Sequence, residues 1–122
     1  MAITQLLHAS LLVTDLARSQ QFYEQILGLE AVERPFSFPG VWYQIGLQQL
    51  HLIQSDQIVP DLVNAEKWGR NRHVAFAVTH LDSLRKTLQD HGYPVQMSAS
   101  GRVALFTQDP DGNIVELTQL SP

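Results

Sequence analysis

The sequence predicts an α+β domain made of two tandem βαβββ modules, and three observations predict it. His8 and His73 stand 65 residues apart, and so do His51 and Glu116. Sliding the chain by that interval sets His8-Ala9-Ser10-Leu11-Leu12-Val13-Thr14 on His73-Val74-Ala75-Phe76-Ala77-Val78-Thr79, Leu16 on Leu81, and Leu50-His51-Leu52-Ile53-Gln54 on Val115-Glu116-Leu117-Thr118-Gln119. Self-similarity at a fixed interval marks a structural unit written twice. In the middle the register slips by one, Gly28 matching Gly92, as a one-residue loop difference would produce. The third observation is the order within each half: an apolar strand-like run, a helical spacing ended by glycine, then further strand-like segments.

The elements follow in chain order. Gln5 to Val13 is short and apolar, and Thr14 or Asp15 can cap a helix whose positions Leu16, Ser19, Tyr23, Ile26 and Leu27 recur at three- and four-residue intervals. Gly28 ends that helix as a left-handed residue. Strand-like segments follow around Leu29 to Glu33 and Val41 to Gln54, with Gly46 at a reversal. Module one covers about residues 1–57, and a connection of about 58–71, carrying Pro60, Asn64 and Gly69, leads to module two, about 72–122. There Thr79 and Asp82 resemble a capping box, opening a helix through Leu81, Leu84 and Leu88 that closes at Gly92, and Pro94 prevents its resumption. Strands are expected around Val95 to Met97 and Val103 to Leu120, reversing at Asp109-Pro110-Asp111-Gly112-Asn113, where proline presets φ and glycine supplies a positive one. All 122 residues form one domain.

Composition narrows the function classes. A formal net charge of −4 without any basic run argues against nucleic acid or an anionic membrane surface as the main partner. No apolar stretch approaches the roughly 20 residues of a membrane span, and no secretory leader opens the chain, so a soluble cytoplasmic protein is expected. With no cysteine, any metal must be held by imidazole and carboxylate, which leans toward Fe, Mn, Co, Ni or Zn.

Strand alternation assigns the polar residues to one side. His8, Ser10, Leu12 and Thr14 share a face, and Ala9, Leu11 and Val13 the other; His73, Ala75 and Ala77 oppose Val74, Phe76 and Val78. The apolar face should meet the helix, and the face with histidine and small residues should line a concavity. Glu116, centred in Ile114-Val115-Glu116-Leu117-Thr118, is costly to bury unless paired, hydrogen-bonded or bound to metal. A solvated strand edge, or pairing with Arg102 across the hairpin, is the competing explanation. Three strand histidines and one carboxylate at repeat-related places favour a metal site. His80, at a helix start, and His91, before Gly92, are read as structural or exposed.

The chain resembles the vicinal oxygen chelate superfamily of glyoxalase I, extradiol dioxygenases, fosfomycin-resistance enzymes and bleomycin-resistance proteins. The matching stretches are His8 through Val13-Thr14-Asp15-Leu16, Phe22-Tyr23 with Leu27-Gly28-Leu29, Arg72-His73-Val74-Ala75-Phe76, and Asp109 through Leu117. The resemblance implies sheets curled into a cup around one divalent metal ion per site. It also implies a homodimer, with the site lying within a chain or shared between subunits. His8, His73 and Glu116 match a three-ligand pattern. His51 falls where glyoxalases carry a carboxylate ligand, so it is either a fourth metal ligand or a base; the catalytic candidates are Glu116 and His51. Trp42, Tyr43, Arg102 and Phe106, on strands expected to form the cup, are candidates for substrate contact, or the aromatics are core and Arg102 a solvated charge. The implied function is a metal-dependent enzyme acting on a small substrate that chelates through adjacent oxygens, a lyase, isomerase or dioxygenase. The alternatives are a fosfomycin-resistance-type transferase, against which only two lysines, Lys67 and Lys86, count, and a non-enzymatic binding or resistance protein.

Overall fold

In each half of the chain four strands hydrogen-bond into one sheet, in the order first, fourth, third, second along that half. These strands come from a computed structural model that describes residues 2–120; the expected outer limits of the modules, residues 1 and 122, lie outside them. The chain divides into two units between Ile58 and Val59. The first contains β1 (His8–Val13), α1 (Leu16–Gln20), a π-helical turn (Gln21–Ile26), β2 (Glu30–Val32), β3 (Gly40–Ile45) and β4 (Gln48–Gln54). The second contains a 3₁₀ turn (Trp68–Arg70), β5 (Val74–Ala77), α2 (Leu81–Asp90), β6 (Val95–Met97), β7 (Ala104–Gln108) and β8 (Ile114–Thr118). Each unit is thus a βαβββ module, its first strand parallel to its last and the other pairs antiparallel. No helix among the described residues is long and apolar enough to cross a membrane.

The repeat extends to the strand register. Ser10 lies opposite His51 and Ala75 opposite Glu116. On the other side of the same strands, Trp42 faces His51 and Phe106 faces Glu116. The one-residue slip at Gly28 and Gly92 therefore persists through the third strand of each module and is recovered at the hairpin. In module one that hairpin needs a positive φ at Gly46 (59°), and in module two at Gly112 (83°). Asp109 locks the second: its Oδ1 accepts from the amides of Asp111 and Asn113, both at 2.9 Å.

Alternation buries one face of each sheet. Tyr43, Leu50 and Leu52 are essentially inaccessible in module one, as are Leu105, Val115 and Leu117 in module two. Fully burying a side chain of this size stabilises by roughly 1.5–3 kcal/mol. Phe22 and Tyr23, adjacent in sequence, are both fully buried. They lie where the first helix widens, Leu27 N–H donating to the carbonyl five residues back at Phe22 (3.0 Å). The expected regular helix is corrected there.

The expected capping box is also corrected. Asp15 does cap α1, accepting from Arg18 N–H at 3.3 Å. At α2, however, the N-cap is His80, left-handed at φ 48°, and neither it nor Thr79 supplies a side-chain cap. The Leu81 amide instead donates to Gln119 Oε1 at 2.9 Å, and the repeat-related Leu16 amide donates to Gln54 Oε1 at 3.3 Å. A glutamine at the end of the last strand thus serves the first turn of its own module's helix. Replacing Gln119 by Ala is expected to lower stability by about 1 kcal/mol, the usual worth of a helix N-cap. The check is a urea midpoint that falls with unchanged slope; an unmoved midpoint would mean that water serves the Leu81 amide equally well.

Candidate functional site

In module one the face opposite the core carries a column of three rings. His51, buried on β4, lies between His8 and Trp42, with ring centroids 4.1 Å apart on both sides and interplanar angles of 15° and 5°. Phe36 meets Trp42 edge-on at 5.8 Å. The column and its neighbours border a cleft of about 600 Å³.

A chain of side-chain amides sets the tautomer of His51. Gln44 Nε2 donates to the carbonyls of Gly46 (2.9 Å) and Gln48 (3.3 Å), so its Oε1 is the atom that accepts from Gln49 Nε2 at 2.7 Å. That leaves Gln49 Oε1 to accept from His51 Nε2–H at 2.8 Å. The lone pair of neutral His51 is therefore on Nδ1. Burial, then the neighbouring His8 and Arg34, hold the His51 pKa below its ordinary value.

Module two builds an imidazole–carboxylate pair at the equivalent place. His73 Nδ1–H donates to the Asn71 carbonyl at 2.7 Å, leaving Nε2 to face Glu116 Oε1 at 3.2 Å. The other carboxylate oxygen is engaged twice, by Thr118 Oγ1–H at 2.6 Å and Arg102 Nη1–H at 3.2 Å. Phe106 stands edge-on to His73, its centroid 5.6 Å away. Burial pushes the Glu116 carboxyl up, but Thr118, Arg102 and His73 outweigh it, and the net shift is below the ordinary value. The carboxylate is thus ionised and presents one oxygen.

His51 and Trp42 share a face in module one, next to His8, and His73, Glu116, Arg102 and Phe106 share one in module two. Tyr43 is corrected. Its neighbour Trp42 takes the His51 side, so alternation sends Tyr43 to the core, where it is fully buried and its hydroxyl donates to Glu24 at 2.9 Å. Arg102 does pair with Glu116, the competing explanation, yet His73 holds the other oxygen at the same time. Thr118 and Asn71 were not among the expected site residues. Thr118, two residues from Glu116 on the same strand, was accessible to the alternation argument; the Asn71 carbonyl was not.

Among the described residues no three His, Asp or Glu side chains converge into one group. The fit to a metal ion is therefore judged pair by pair. Two ligands about 2.0–2.2 Å from a common ion lie roughly 3 Å apart, so the His73–Glu116 separation suits a shared cation. Nε2 and Oε1 both carry lone pairs, and a proton or metal between them completes the arrangement. The His8 and His51 rings are nearly parallel, so their in-plane lone pairs do not converge on one ion in this arrangement.

The profile of the glyoxalase/bleomycin resistance protein/dioxygenase superfamily matches residues 5–117. The chain belongs to that superfamily. Similar relatives are "Glyoxylase I 4" of Arabidopsis thaliana, 27% identical over 94% of this chain and 70% of that one, and the Synechocystis protein named "Probable lactoylglutathione lyase", 29% identical over 95% of both. A glyoxalase-family crystal structure from Bacillus anthracis superposes with a TM-score of 0.79 at 21% identity, covering 98% of this chain and 97% of that one. That similarity concerns the fold of this superfamily member.

Both shifted groups bind protons more weakly folded than unfolded, so stability rises with pH across their titrations. The His51 contribution is complete above its ordinary value of 6.5 and is lost as pH falls below it; that of Glu116 is complete above 4.5 and is lost as pH falls through its folded value. In metal-free protein, His51→Gln should flatten the stability–pH profile just below pH 6.5, and Glu116→Gln only the limb below 4.5. Urea denaturation at each pH checks this, and an upper limb unchanged by His51→Gln would refute the assignment.

Proposed function

We propose that this superfamily member is a divalent-metal-dependent lyase or isomerase acting on a small substrate that presents adjacent oxygens. The observation that carries it is the His73–Glu116 pair: an imidazole nitrogen and an ionised carboxylate oxygen facing one another at 3.2 Å, each fixed by a partner on its far side. Structured partners of this kind orient metal ligands and preserve their basicity. The relatives named "Glyoxylase I 4" and "Probable lactoylglutathione lyase" support the reaction class.

In this reading His73 and Glu116 are ligands, and the ion when bound would supply Lewis-acid polarisation of a substrate oxygen. His51 is the proton acceptor. Its Nε2–H is committed to Gln49 and its Nδ1 lone pair is available. On protonation the ring keeps its bond to Gln49, which holds the imidazolium in the orientation of the neutral base. His51 is kept neutral near pH 7 because its pKa lies below the ordinary value, as a general base requires.

Protein purified without chelator should contain a divalent metal by elemental analysis and melt at a higher temperature than the stripped form. Glu116→Gln should abolish tight metal binding. His51→Gln should keep metal affinity yet lower kcat by about 10²–10⁴-fold, the usual worth of a general base. Absence of metal, with no metal-induced rise in Tm, would refute the enzyme reading, and loss of metal from His51→Gln would make His51 a ligand instead.

A further inference from the structure

The segment preceding β5 is a loop built to hold a shape. Asn71 Oδ1 accepts from the amides of Val63 (2.7 Å) and Asn64 (2.8 Å), while its Nδ2 donates to the carbonyls of Asn64 and Trp68, both at 3.0 Å. From β6, Gln96 accepts from the Trp68 amide and donates to the Glu66 carbonyl, each at 2.9 Å. Gly69 packs against the tip of the Phe106 ring, so closely that a Cβ there would come within 2.5 Å of it. Two side-chain amides and an aromatic ring thus fix the backbone from Val63 to Asn71.

Beside Glu66, this loop presents two cations. Lys67 and Arg70 project from it with no side-chain hydrogen bond or ion pair among the described residues, and both line a cleft of about 540 Å³ together with Ser100, Arg102, Phe106 and Glu116. Three of the chain's eight Lys and Arg residues therefore gather at this cleft, against two carboxylates, Glu66 and Glu116, of which Glu116 is already paired with Arg102. Of the other module-two arginines, Arg72 is paired with Asp61 and Arg85 with Asp82, while Arg102 is paired with Glu116 inside the cleft. Holding the loop in advance removes the ordering cost that a flexible loop would incur on binding. A guanidinium with free donors suits planar or tetrahedral oxyanions.

We propose that Lys67 and Arg70 anchor an oxyanion group of the substrate, carboxylate or phosphoryl, at the cleft that ends on Glu116. The word substrate rests on the function proposed above; the anion site does not. Calorimetric titration of the metal-free protein with inorganic phosphate and, separately, acetate at fixed ionic strength tests it. One anion should bind per chain, and the tighter of the two identifies the group. Lys67→Gln and Arg70→Gln should each weaken it about tenfold, as loss of one charge-assisted hydrogen bond does, with Arg70→Lys partly restoring affinity. Arg85→Gln, on α2 outside the cleft, should leave it unchanged. Failure of both anions to bind, or equal weakening by Arg85→Gln, overturns the anchor. Anion binding that persists in a protein unable to bind metal would overturn the enzyme reading alone, whereas metal binding without anion binding would overturn the anchor alone.

Discussion

The parallel pairing of each module's first strand with its last is the constraint on which everything else rests. It places Ser10 opposite His51 and Ala75 opposite Glu116, while the third strand puts Trp42 and Phe106 on the far side. A small residue on one flank leaves room beside the central polar group, and a bulky ring on the other walls it. The histidine two positions before the small residue, His8 or His73, shares its face and reaches over that space. One register thus makes a polar position at the middle of the best-covered strand tolerable, because it supplies neighbours at three sides.

The same frame yields two different chemistries because the central residue differs. A neutral imidazole at position 51 gathers flat partners, stacking between His8 and Trp42 and spending its one N–H on Gln49. A carboxylate at position 116 must be compensated by donors or charge, since an isolated buried anion is costly. Arg102 and Thr118 supply that compensation at one oxygen, and a proton or cation shared with His73 supplies it at the other. Glycine and glutamine at repeat-related places preserve the scaffold under both: Gly28 and Gly92 after the helices, Gln54 and Gln119 at their starts.

Much of this was legible in the chain. The 65-residue interval, the one-residue slip and the Asp109–Asn113 turn are local patterns, and each maps directly onto an element. What escaped was set by partners distant in sequence. Gln119 lies 38 residues from the Leu81 amide it serves, and no helix-start rule looks that far. Strict alternation separates Trp42 from Tyr43 once β3 is known to pair with β4 in that register, but the register is a tertiary fact. Arg102 and His73 engage different oxygens of Glu116, so pairing across the hairpin and a site around the carboxylate are compatible.

The two histidines at the heart of the proposed mechanism are held in opposite tautomers, and this divides their labour. Asn71 takes the Nδ1–H of His73, so its lone pair is on Nε2, aimed at Glu116; Gln49 takes the Nε2–H of His51, so its lone pair is on Nδ1. The first arrangement points a nitrogen toward an anion and suits sharing a cation. The second leaves a nitrogen beside stacked rings with no anion bonded to it, and the lowered pKa keeps it unprotonated. The relay from Gln49 through Gln44 to the Gly46 and Gln48 carbonyls fixes that choice, since backbone carbonyls can only accept. Reversing the two amides would set a donor against His51 Nε2 and expel its lone pair from Nδ1, but it would also set carbonyl oxygens against carbonyl oxygens at the hairpin. The turn that closes β3 on β4 therefore determines which nitrogen of His51 is basic.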